Sequence, residues 1–222
     1  MTPGPVAERP AAIPVAPGID YFPAFLDRTG QEALRDALRT ILTEAPLFRP
    51  RMPRTGKPFS VRMSNCGPLG WVSDERGYRY QPLHPETGRP WPPMPGRLVA
   101  AWRLLAPDAP PPEACLINVY DAAAKMGLHQ DRDEEELAAP VLSLSLGDPG
   151  LFRIGGLRRS DPTRSFWLRS GDALTFGGPA RLLFHGIDRI APGGPGLLPE
   201  GRRINLTLRR VTRAASAGLA PS

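Results

Sequence analysis

The chain has few cysteines and no long apolar run. Cys66 and Cys115 are the only two among 222 residues, far apart and without a CxxC spacing. This argues against a disulfide framework or a cysteine-ligated zinc site, and it favours a reducing compartment in which both thiols are buried apolar fillers. The sequence has no stretch of about eighteen apolar residues that could span a membrane, and it does not begin with a secretory signal. We therefore expect a soluble, cytoplasmic, monomeric protein without a membrane partner.

Acidic side chains are outnumbered by basic ones. Lys and Arg total 28 against 22 Asp and Glu, which gives a net charge of +6 and an isoelectric point near 10.0. Phosphate contacts supply affinity that is independent of base sequence, so this excess favours a nucleic acid as partner. Charge alone leaves a protein without such a partner equally open.

The ends of the chain differ in composition from its middle. Residues 1–18 are rich in Pro and Ala, which predicts a flexible arm because Pro removes backbone donors. Residues 213–222 predict a disordered tail. The chain length suits one folded domain, which we place at 19–212, with the Gly-, Pro- and aromatic-rich segment 62–95 as a surface lid within it.

Two amphipathic helices precede a run of short strands. Apolar residues recur at helical spacing from Thr29, where TGQE predicts a capping box, to Glu44, and a second apolar stripe follows Pro95. Beyond Cys115, seven strand-like segments come without intervening helices: CLINVY, VLSLSL, LFRI, SFWLRS, DALTF, RLLFHGI and RINLTLRR. This pattern predicts a mainly β, α+β protein with a sandwich or jelly-roll core.

One short motif has the spacing of metal ligands. LHQDRD places His129 and Asp131 two residues apart, so both side chains project to one side of an extended segment. A third ligand could come from His84 or from His185, which closes the apolar strand RLLFH. Two histidines and one carboxylate are the ligand set of non-haem Fe(II) oxygenases, although zinc accepts the same set with a water. An isolated HxD is common, so the motif alone does not choose the metal.

The last predicted strand carries charge on one face only. With a period of two, RINLTLR separates three aliphatic side chains from a polar set: Arg203, Asn205, Thr207 and Arg209. Either the polar face meets solvent, or its arginines meet an anionic ligand in a cavity, where a guanidinium matches a carboxylate. On CLINVY, Asn118 and Tyr120 have equal parity and could complete an acid-binding pocket.

At this point the sequence resembles a known family. It is similar to the bacterial AlkB proteins, over roughly residues 20–210, in several segments taken in order: MSNCGPLGWVSDERGYRYQP, GRPWPPMP, CLINVYDAAAKMGLHQDRDE, GGLRRSDP, GDALTFGG, LLFHGI and RRINLTLRR. Those proteins are Fe(II)- and 2-oxoglutarate-dependent demethylases that repair alkylated bases. The resemblance implies a double-stranded β-helix, a jelly roll, that uses Fe(II), 2-oxoglutarate and O2. It also implies three catalytic iron ligands: His129, Asp131 and His185.

By the same resemblance, five residues hold 2-oxoglutarate: Asn118, Tyr120, Arg203, Asn205 and Arg209. Arg203 is the favoured partner of the distal carboxylate, with Asn205 beside it, and the assignment of the two arginines stays open. Phe176 and Ile204 stand where familiar members carry Trp and Tyr. These departures bear on pocket shape and substrate preference rather than on an inferred ligand.

The resemblance further implies that the substrate is an alkylated base of DNA, single-stranded or flipped, with RNA as the other possibility. Trp71 and Tyr78 in the lid, Asp133 after the ligand motif and Arg159 in GGLRRSDP are the substrate-binding candidates. Aromatic rings and that of His185 could sandwich the base, while Asp133 favours a cationic base such as 1-methyladenine or 3-methylcytosine. Oxidation of the N-methyl group would release formaldehyde and succinate and restore the base.

Two other functions stay open at this point. The same chemistry could act on RNA, a protein or a small molecule. A basic nucleic-acid-binding module whose barrel has lost its metal is the alternative from another class. The complete HxD motif and the distal histidine argue against that module.

Overall fold

The computed structural model describes residues 9–198 and 202–213. Residues 1–8 of the predicted arm and 214–222 of the predicted tail lie outside this description. No helix within the described ranges is both long and apolar enough to cross a bilayer.

The described residues contain thirteen strands, of which all neighbouring pairs are antiparallel. In chain order they are β1 (Ile13–Ala16), β2 (Ile19–Phe22), β3 (Arg62–Cys66), β4 (Gly70–Asp74), β5 (Gly77–Gln81), β6 (Ala114–Tyr120), β7 (Met126–His129), β8 (Val141–Gly147), β9 (Gly150–Ile154), β10 (Arg164–Leu168), β11 (Ala173–Phe176), β12 (His185–Ile190) and β13 (Arg203–Arg209). Seven form one sheet in the order β1-β2-β11-β8-β13-β6-β3, and four form a second in the order β10-β9-β12-β7. The remaining two, β4 and β5, form a separate hairpin.

The two larger sheets pack face to face. Apolar side chains of both line the space between them, including Leu174 and Phe176 from the seven-stranded sheet and Phe152, Ile154 and Ile187 from the four-stranded one. Two antiparallel sheets stacked in this way are a jelly roll. The predicted mainly β core with flanking helices is therefore confirmed.

Helix α1 (Arg28–Glu44) covers the outer face of the seven-stranded sheet. Leu34, Leu38 and Ile41 recur at the spacing of one helical face and are all buried, each contributing about 1.5–3 kcal/mol of apolar burial. The predicted capping box is wrong: Asp27 is the N-cap and accepts a 2.7 Å hydrogen bond from the Gly30 backbone N–H. Asp27 lies two residues before Thr29, and its carboxyl oxygen caps a free N–H group of the first turn, so the helix begins sooner.

Helix α2 (Gly96–Leu105) begins directly after Pro95, as predicted. Leu98, Trp102 and Leu105 are buried in the same outer cluster as α1, and the Trp102 indole donates to the carbonyl of Pro110. Both helices thus lie on the side of the sheet that faces away from the space between the sheets. The two helices therefore do not occupy the space between the sheets.

Three local differences from the sequence predictions bear on the site. Residues 13–16 of the predicted arm form β1, an edge strand, where Pro14 costs little because an edge N–H needs no partner. Within the predicted lid, β3 is the edge of the main sheet, and the 70–81 segment is the hairpin that stands apart. His185 begins β12 rather than closing a strand, because residues 180–183 form a hydrogen-bonded turn after Pro179.

Candidate active site

The predicted metal ligands converge at one end of the four-stranded sheet. His129 is the last residue of β7 and His185 the first of β12, and the two lie opposite each other in the antiparallel pair. Asp131 follows two residues after β7. Nε2 of His129 lies 3.6 Å from Oδ1 of Asp131, and Nε2 of His185 lies 3.9 Å from Oδ2. One ligand atom of each residue lies within 4.8 Å of the others, so a single ion could be bound by all three.

Backbone carbonyls fix the orientation of both imidazoles. Nδ1 of His129 is 2.9 Å from the carbonyl oxygen of Gly127, and Nδ1 of His185 is 3.0 Å from that of Leu183. A carbonyl oxygen can only accept, so each Nδ1 carries the proton. The lone pair of each ring is therefore on Nε2, the nitrogen that faces Asp131, which is the tautomer a metal requires.

The ionisation states of the cluster also suit a cation. Burial would raise the pKa of Asp131, but the charge of Arg209 and the two imidazoles hold it well below its usual range. Burial, helped by the nearby His129, lowers the pKa of His185 to about 4, so this imidazole is neutral at neutral pH. The donor set is thus one carboxylate and neutral nitrogen, the combination that non-haem Fe(II) accepts.

Arg209 ties the ligand carboxylate into a buried ionic network. Its Nη2 and Nε lie 2.7 and 3.2 Å from Oδ2 of Asp131, and Nε also lies 3.2 Å from Oε1 of Glu134. Glu134 in turn pairs with Arg181 at 2.9 Å and accepts a short hydrogen bond from the Tyr80 hydroxyl on β5. Burial opposes the charge of Arg209, yet the carboxylates around it raise its pKa above the usual value.

The sequence analysis did not find Glu134, Arg181 and Tyr80. Glu134 lies in the acidic run DRDEEE, which resembles a solvated segment, but its side chain is only 2% exposed. Its parity differs from that of Asp131, and the chain bends after β7, so no strand period applies there. Arg181 and Tyr80 carried no motif at all. Arg181 has one sequence signal, a cation in the apolar segment PARLLF, whereas Tyr80 lies in the polar segment GYRYQ and has none.

Arg203 is a fully buried guanidinium with no acidic partner among the described residues. Its Nη2 donates to Oγ of Ser145 at 2.8 Å and its Nη1 to the carbonyls of Leu168 and Asp148, whereas Nε has no hydrogen-bond partner. Burial lowers its pKa to about 10, so it stays charged at neutral pH. A Cβ at Gly150 would lie 2.7 Å from this Nε, so only glycine gives the guanidinium room.

Two further residues that were predicted to bind 2-oxoglutarate lie on the same face of the seven-stranded sheet as Arg203. Asn118 and Tyr120 on β6 stand opposite Asn205 and Arg203 on β13. Oδ1 of Asn118 is buried without a partner, and burial raises the pKa of Tyr120 to about 12 although the charge of Arg203 opposes the shift. The buried cation and the unpartnered amide fit an anionic ligand with several oxygens, since an amide presents either its oxygen or its NH2 after a half-turn.

Asn205 is used differently. Its Nδ2 donates to Oγ of Ser143 and to the carbonyl of Leu144, at 2.7 and 3.2 Å, and its Oδ1 accepts from the Thr207 hydroxyl at 2.9 Å. These bonds use both donors and one acceptor position of the amide. The structure places Asn205 on the predicted face of β13, but its amide is already hydrogen-bonded to residues of the same sheet.

The hairpin β4–β5 carries an aromatic pair beside the ligand motif. The rings of Trp71 and Tyr78 stack, with centroids 5.6 Å apart and an angle of 18° between their planes. The indole Nε1 of Trp71 donates to Oδ2 of Asp133 at 2.9 Å, which joins the hairpin to the segment that follows Asp131. Tyr78 is 50% exposed, so the pair presents an aromatic surface to solvent next to the metal ligands.

The exposed imidazole of the cluster is that of His129. Its side chain is 40% exposed, compared with 8% for His185, whose ring packs edge-on against Phe176 at 4.8 Å. The expectation that His185 faces a bound base is therefore wrong, because β12 is flanked by β9 and β7 whereas β7 is the edge strand. Arg159 lies close by: its Nη1 donates to the carbonyl of Leu128 at 2.7 Å.

His84 takes no part in the cluster. Its Nε2 is 2.8 Å from the carbonyl of Pro46, and its Nδ1 accepts from the N–H groups of Glu86 and Thr87. These contacts make it a buried structural histidine. Cys66 and Cys115 are both free and fully buried, as predicted.

A jelly roll with two imidazoles and a carboxylate at one end, and a buried unpaired guanidinium between its sheets, defines the class of non-haem Fe(II) oxygenases that take an organic acid as cosubstrate. A family model described as the 2OG-Fe(II) oxygenase superfamily matches residues 18–209. The match spans every strand except β1 and includes all the site residues discussed above.

The relatives narrow this class. The alpha-ketoglutarate-dependent dioxygenase AlkB homolog of Caulobacter vibrioides is 54% identical over 200 residues, 90% of each chain. AlkB of Escherichia coli strain K12 is 40% identical over 202 residues, 89% of this chain and 92% of that one. The solved structure of OsALKBH1 has a TM-score of 0.75 and 30% identity, covering 90% of this chain and all of that one. The chain belongs to the AlkB family, and it is a dioxygenase that uses Fe(II), 2-oxoglutarate and O2.

Proposed function

We propose that this dioxygenase removes N-alkyl groups from nucleic-acid bases, with 1-methyladenine and 3-methylcytosine in DNA as its substrates. The observation that carries the proposal is the stacked pair of Trp71 and Tyr78, hydrogen-bonded through Trp71 to Asp133, which follows the predicted ligand Asp131 by two residues. An unpaired base has two flat faces and is held by stacking on rings. The names of the AlkB relatives support the same reaction class.

In this proposal His129, Asp131 and His185 hold the iron, and Asn118, Tyr120, Arg203 and Arg209 hold 2-oxoglutarate. Arg203 takes the distal carboxylate, because it is the buried guanidinium that lacks an acidic partner, whereas Arg209 already pairs with Asp131. Asn205 positions the strand rather than the cosubstrate. Bound iron supplies oxidation of the methyl carbon by O2, coupled to conversion of 2-oxoglutarate to succinate and CO2.

The chain's own residues contribute position and charge. Carbonyls of Gly127 and Leu183 keep both imidazoles in the ligating tautomer, and Arg209 keeps Asp131 ionised and in place. The aromatic pair orients the base so that its methyl group faces the metal ligands, which converts the reaction into a unimolecular one. Asp133 stabilises the positive charge of a 1-methyladenine or 3-methylcytosine ring.

The test is a demethylation assay on a methylated single strand, with an RNA strand of the same sequence in parallel. Formaldehyde and succinate are measured for the native chain and for three variants, with iron, ascorbate and 2-oxoglutarate supplied. We expect His129→Ala to abolish both products and Asp133→Ala to raise KM for the strand. Asp133→Asn keeps an acceptor for the Trp71 indole, so it separates the lost charge from the lost hydrogen bond.

The proposal is refuted if the native chain leaves both strands unchanged yet produces succinate when given a protein or a small molecule. Turnover of the RNA strand alone would keep the chemistry and replace the substrate. Succinate production by His129→Ala at the native rate would contradict the ligand assignment.

We also propose the organisation of the working protein. The dioxygenase domain, predicted at 19–212, also takes in β1 (Ile13–Ala16), because that strand pairs with β2 in the main sheet. The nucleotide-recognition lid is the part of 62–95 that follows β3, since β3 belongs to the main sheet. Two free buried thiols support a reducing compartment, the cytoplasm. We propose that the protein works as a monomer, which size-exclusion chromatography with light scattering would test.

A further inference from the structure

A basic segment lies next to the aromatic pair, and the function proposed above does not use it. Residues 45–73 contain five cations and no acidic residue. Arg62 is one of the five and pairs with Asp121 at 3.3 Å. The other four are in residues 49–57, which we term the basic loop: Arg49, Arg51, Arg54 and Lys57. All four are exposed.

Two cations of the basic loop bond to backbone carbonyls rather than to acids. Arg49 and Arg51 use one nitrogen each on the carbonyls of Phe59 and Gly56, at 3.3 and 3.0 Å. Within the described part of the chain, none of the four cations forms an ion pair. Elsewhere on the surface arginines have acidic neighbours, as Arg76 and Arg79 do with Asp74. Four like charges without counter-charges create a positive potential that attracts an anion.

The loop is ordered by its own hydrogen bonds. Arg51 and Pro58 form a bridge, and the N–H of Gly56 donates to the carbonyl of Met52 at 2.8 Å, which closes the turn. A closed turn fixes the backbone from which the four cations project, so little backbone entropy is lost when they bind a partner.

Backbone bonds join the basic loop to the aromatic hairpin. The N–H of Arg51 donates to the carbonyl of Ser73 at 3.0 Å, and the Ser73 hydroxyl donates to the carbonyl of Arg51 at 2.6 Å. Phe59, just beyond the loop, packs edge-on against Trp71 with centroids 6.2 Å apart. The cations and the stacked rings are therefore parts of one connected surface.

We propose that the basic loop binds the phosphates of a nucleic-acid strand on one side of the base that Trp71 and Tyr78 hold. This inference rests on the proposed function and adds a second contact region to it. A strand whose base stacks on the hairpin must continue past it, and its backbone carries one negative charge per nucleotide. Cations on an ordered turn beside an aromatic platform are the combination that single-strand binding uses. The loop makes affinity depend on strand length and on salt, and it leaves the chemical step unchanged.

The experiment compares two double variants. Arg54→Gln/Lys57→Gln removes two cations that have no hydrogen bond among the described residues, and Arg97→Gln/Arg103→Gln is the matched control on α2, beyond the far face of the main sheet. Binding is measured by fluorescence anisotropy on a labelled, unmethylated strand of about twenty nucleotides at about 50 and about 200 mM salt. This readout needs neither iron nor turnover. Demethylation is then measured on a methylated strand of the same sequence and on a trinucleotide, each with one central methylated base.

For the loop variant we expect the slope of log Kd against log salt to fall by about 1.4, because each lost phosphate contact on a single strand contributes about 0.7. KM for the long strand should rise about tenfold at the lower salt. For the trinucleotide, kcat and KM should stay unchanged. The control should match the native chain throughout.

Equal salt slopes for the loop variant and the native chain would overturn the inference, and so would an equal loss in the α2 control. The proposed function fails separately, if no methylated strand is turned over although the anisotropy slopes differ as expected. Binding of a neutral-backbone oligomer with undiminished affinity would also contradict phosphate recognition by this surface.

Discussion

Nη2 of Arg209 lies 2.7 Å from Oδ2 of Asp131, so a ligand carboxylate is held by a buried guanidinium from the opposite sheet. Asp131 follows β7 of the four-stranded sheet, and Arg209 ends β13 of the seven-stranded one. The bond therefore fixes the distance between the two sheets at the point where the ligands meet. Four predictions follow from this arrangement and its neighbours.

Arg209→Met should destabilise the protein by about 3–5 kcal/mol, because it leaves the buried carboxylates of Asp131 and Glu134 without one of their cations. Chemical denaturation of the metal-free protein measures the change. Arg76→Met is the control, since the pair of Arg76 with Asp74 is exposed and contributes at most about 1 kcal/mol. Equal effects of the two substitutions would show that the buried network adds nothing to stability.

Arg203→Lys should weaken 2-oxoglutarate binding at least about tenfold, or about 1.4 kcal/mol, because an ammonium cannot replace the two-pronged guanidinium. Thermal shift on adding 2-oxoglutarate and KM for 2-oxoglutarate are the two measurements. KM for the nucleic-acid strand should stay unchanged, since Arg203 lies between the sheets and is fully buried. A native thermal shift in the variant would refute the assignment of Arg203 to the cosubstrate.

Tyr80→Phe removes the hydrogen bond that joins the aromatic hairpin to Glu134. We expect the free energy of unfolding to fall by about 1–3 kcal/mol, because the buried carboxylate of Glu134 is left with one hydrogen bond fewer. KM for the strand should rise while KM for 2-oxoglutarate holds. Tyr78→Phe is the matched control: the Tyr78 side chain is exposed, so its hydroxyl should matter little to unfolding.

The metal-free protein should lose stability on acidification from about pH 6.5 to about pH 4. His185 has a pKa of about 4 in the folded chain, below the unfolded value, so the unfolded chain binds more protons in this window and stability rises with pH. Denaturant unfolding at several pH values in a chelator measures the slope, whose integral is on the order of a few kcal/mol. His185→Gln should flatten it; an unchanged slope in that variant would assign the effect to another group.

Periodicity predicted the chemistry of β13 well. Because side chains alternate strictly along a strand, the sequence alone separates Arg203 and Arg209 from Ile204, and the structure places Ile204 in the cluster that packs against the helices. The HxD motif and His185 also meet as predicted. His129 and His185 are 56 positions apart, and no local sequence pattern predicts that their strands pair. Their convergence was therefore predicted from the family resemblance rather than from spacing.

Other features of the site lie outside the reach of local patterns. Glu134 resembles a solvated acid because its neighbours are charged, and only the position of Arg181 and Arg209 in space makes it a buried one. The apolar run before His185 resembles a strand, but Pro179 starts a turn that sets the strand back. Which imidazole meets solvent depends on which strand is the sheet edge, and edge positions are a property of topology.

The alternation along β13 also has a consequence for how this protein can change over time. Its aliphatic side chains pack under two helices while its arginines face the space between the sheets, so a single residue gained or lost would turn cations toward the helices and leucines toward that space. The strand can therefore accept substitutions, whereas it cannot accept insertions or deletions. Diversity among such enzymes should therefore accumulate in hairpins and loops, with the central strand constant in length.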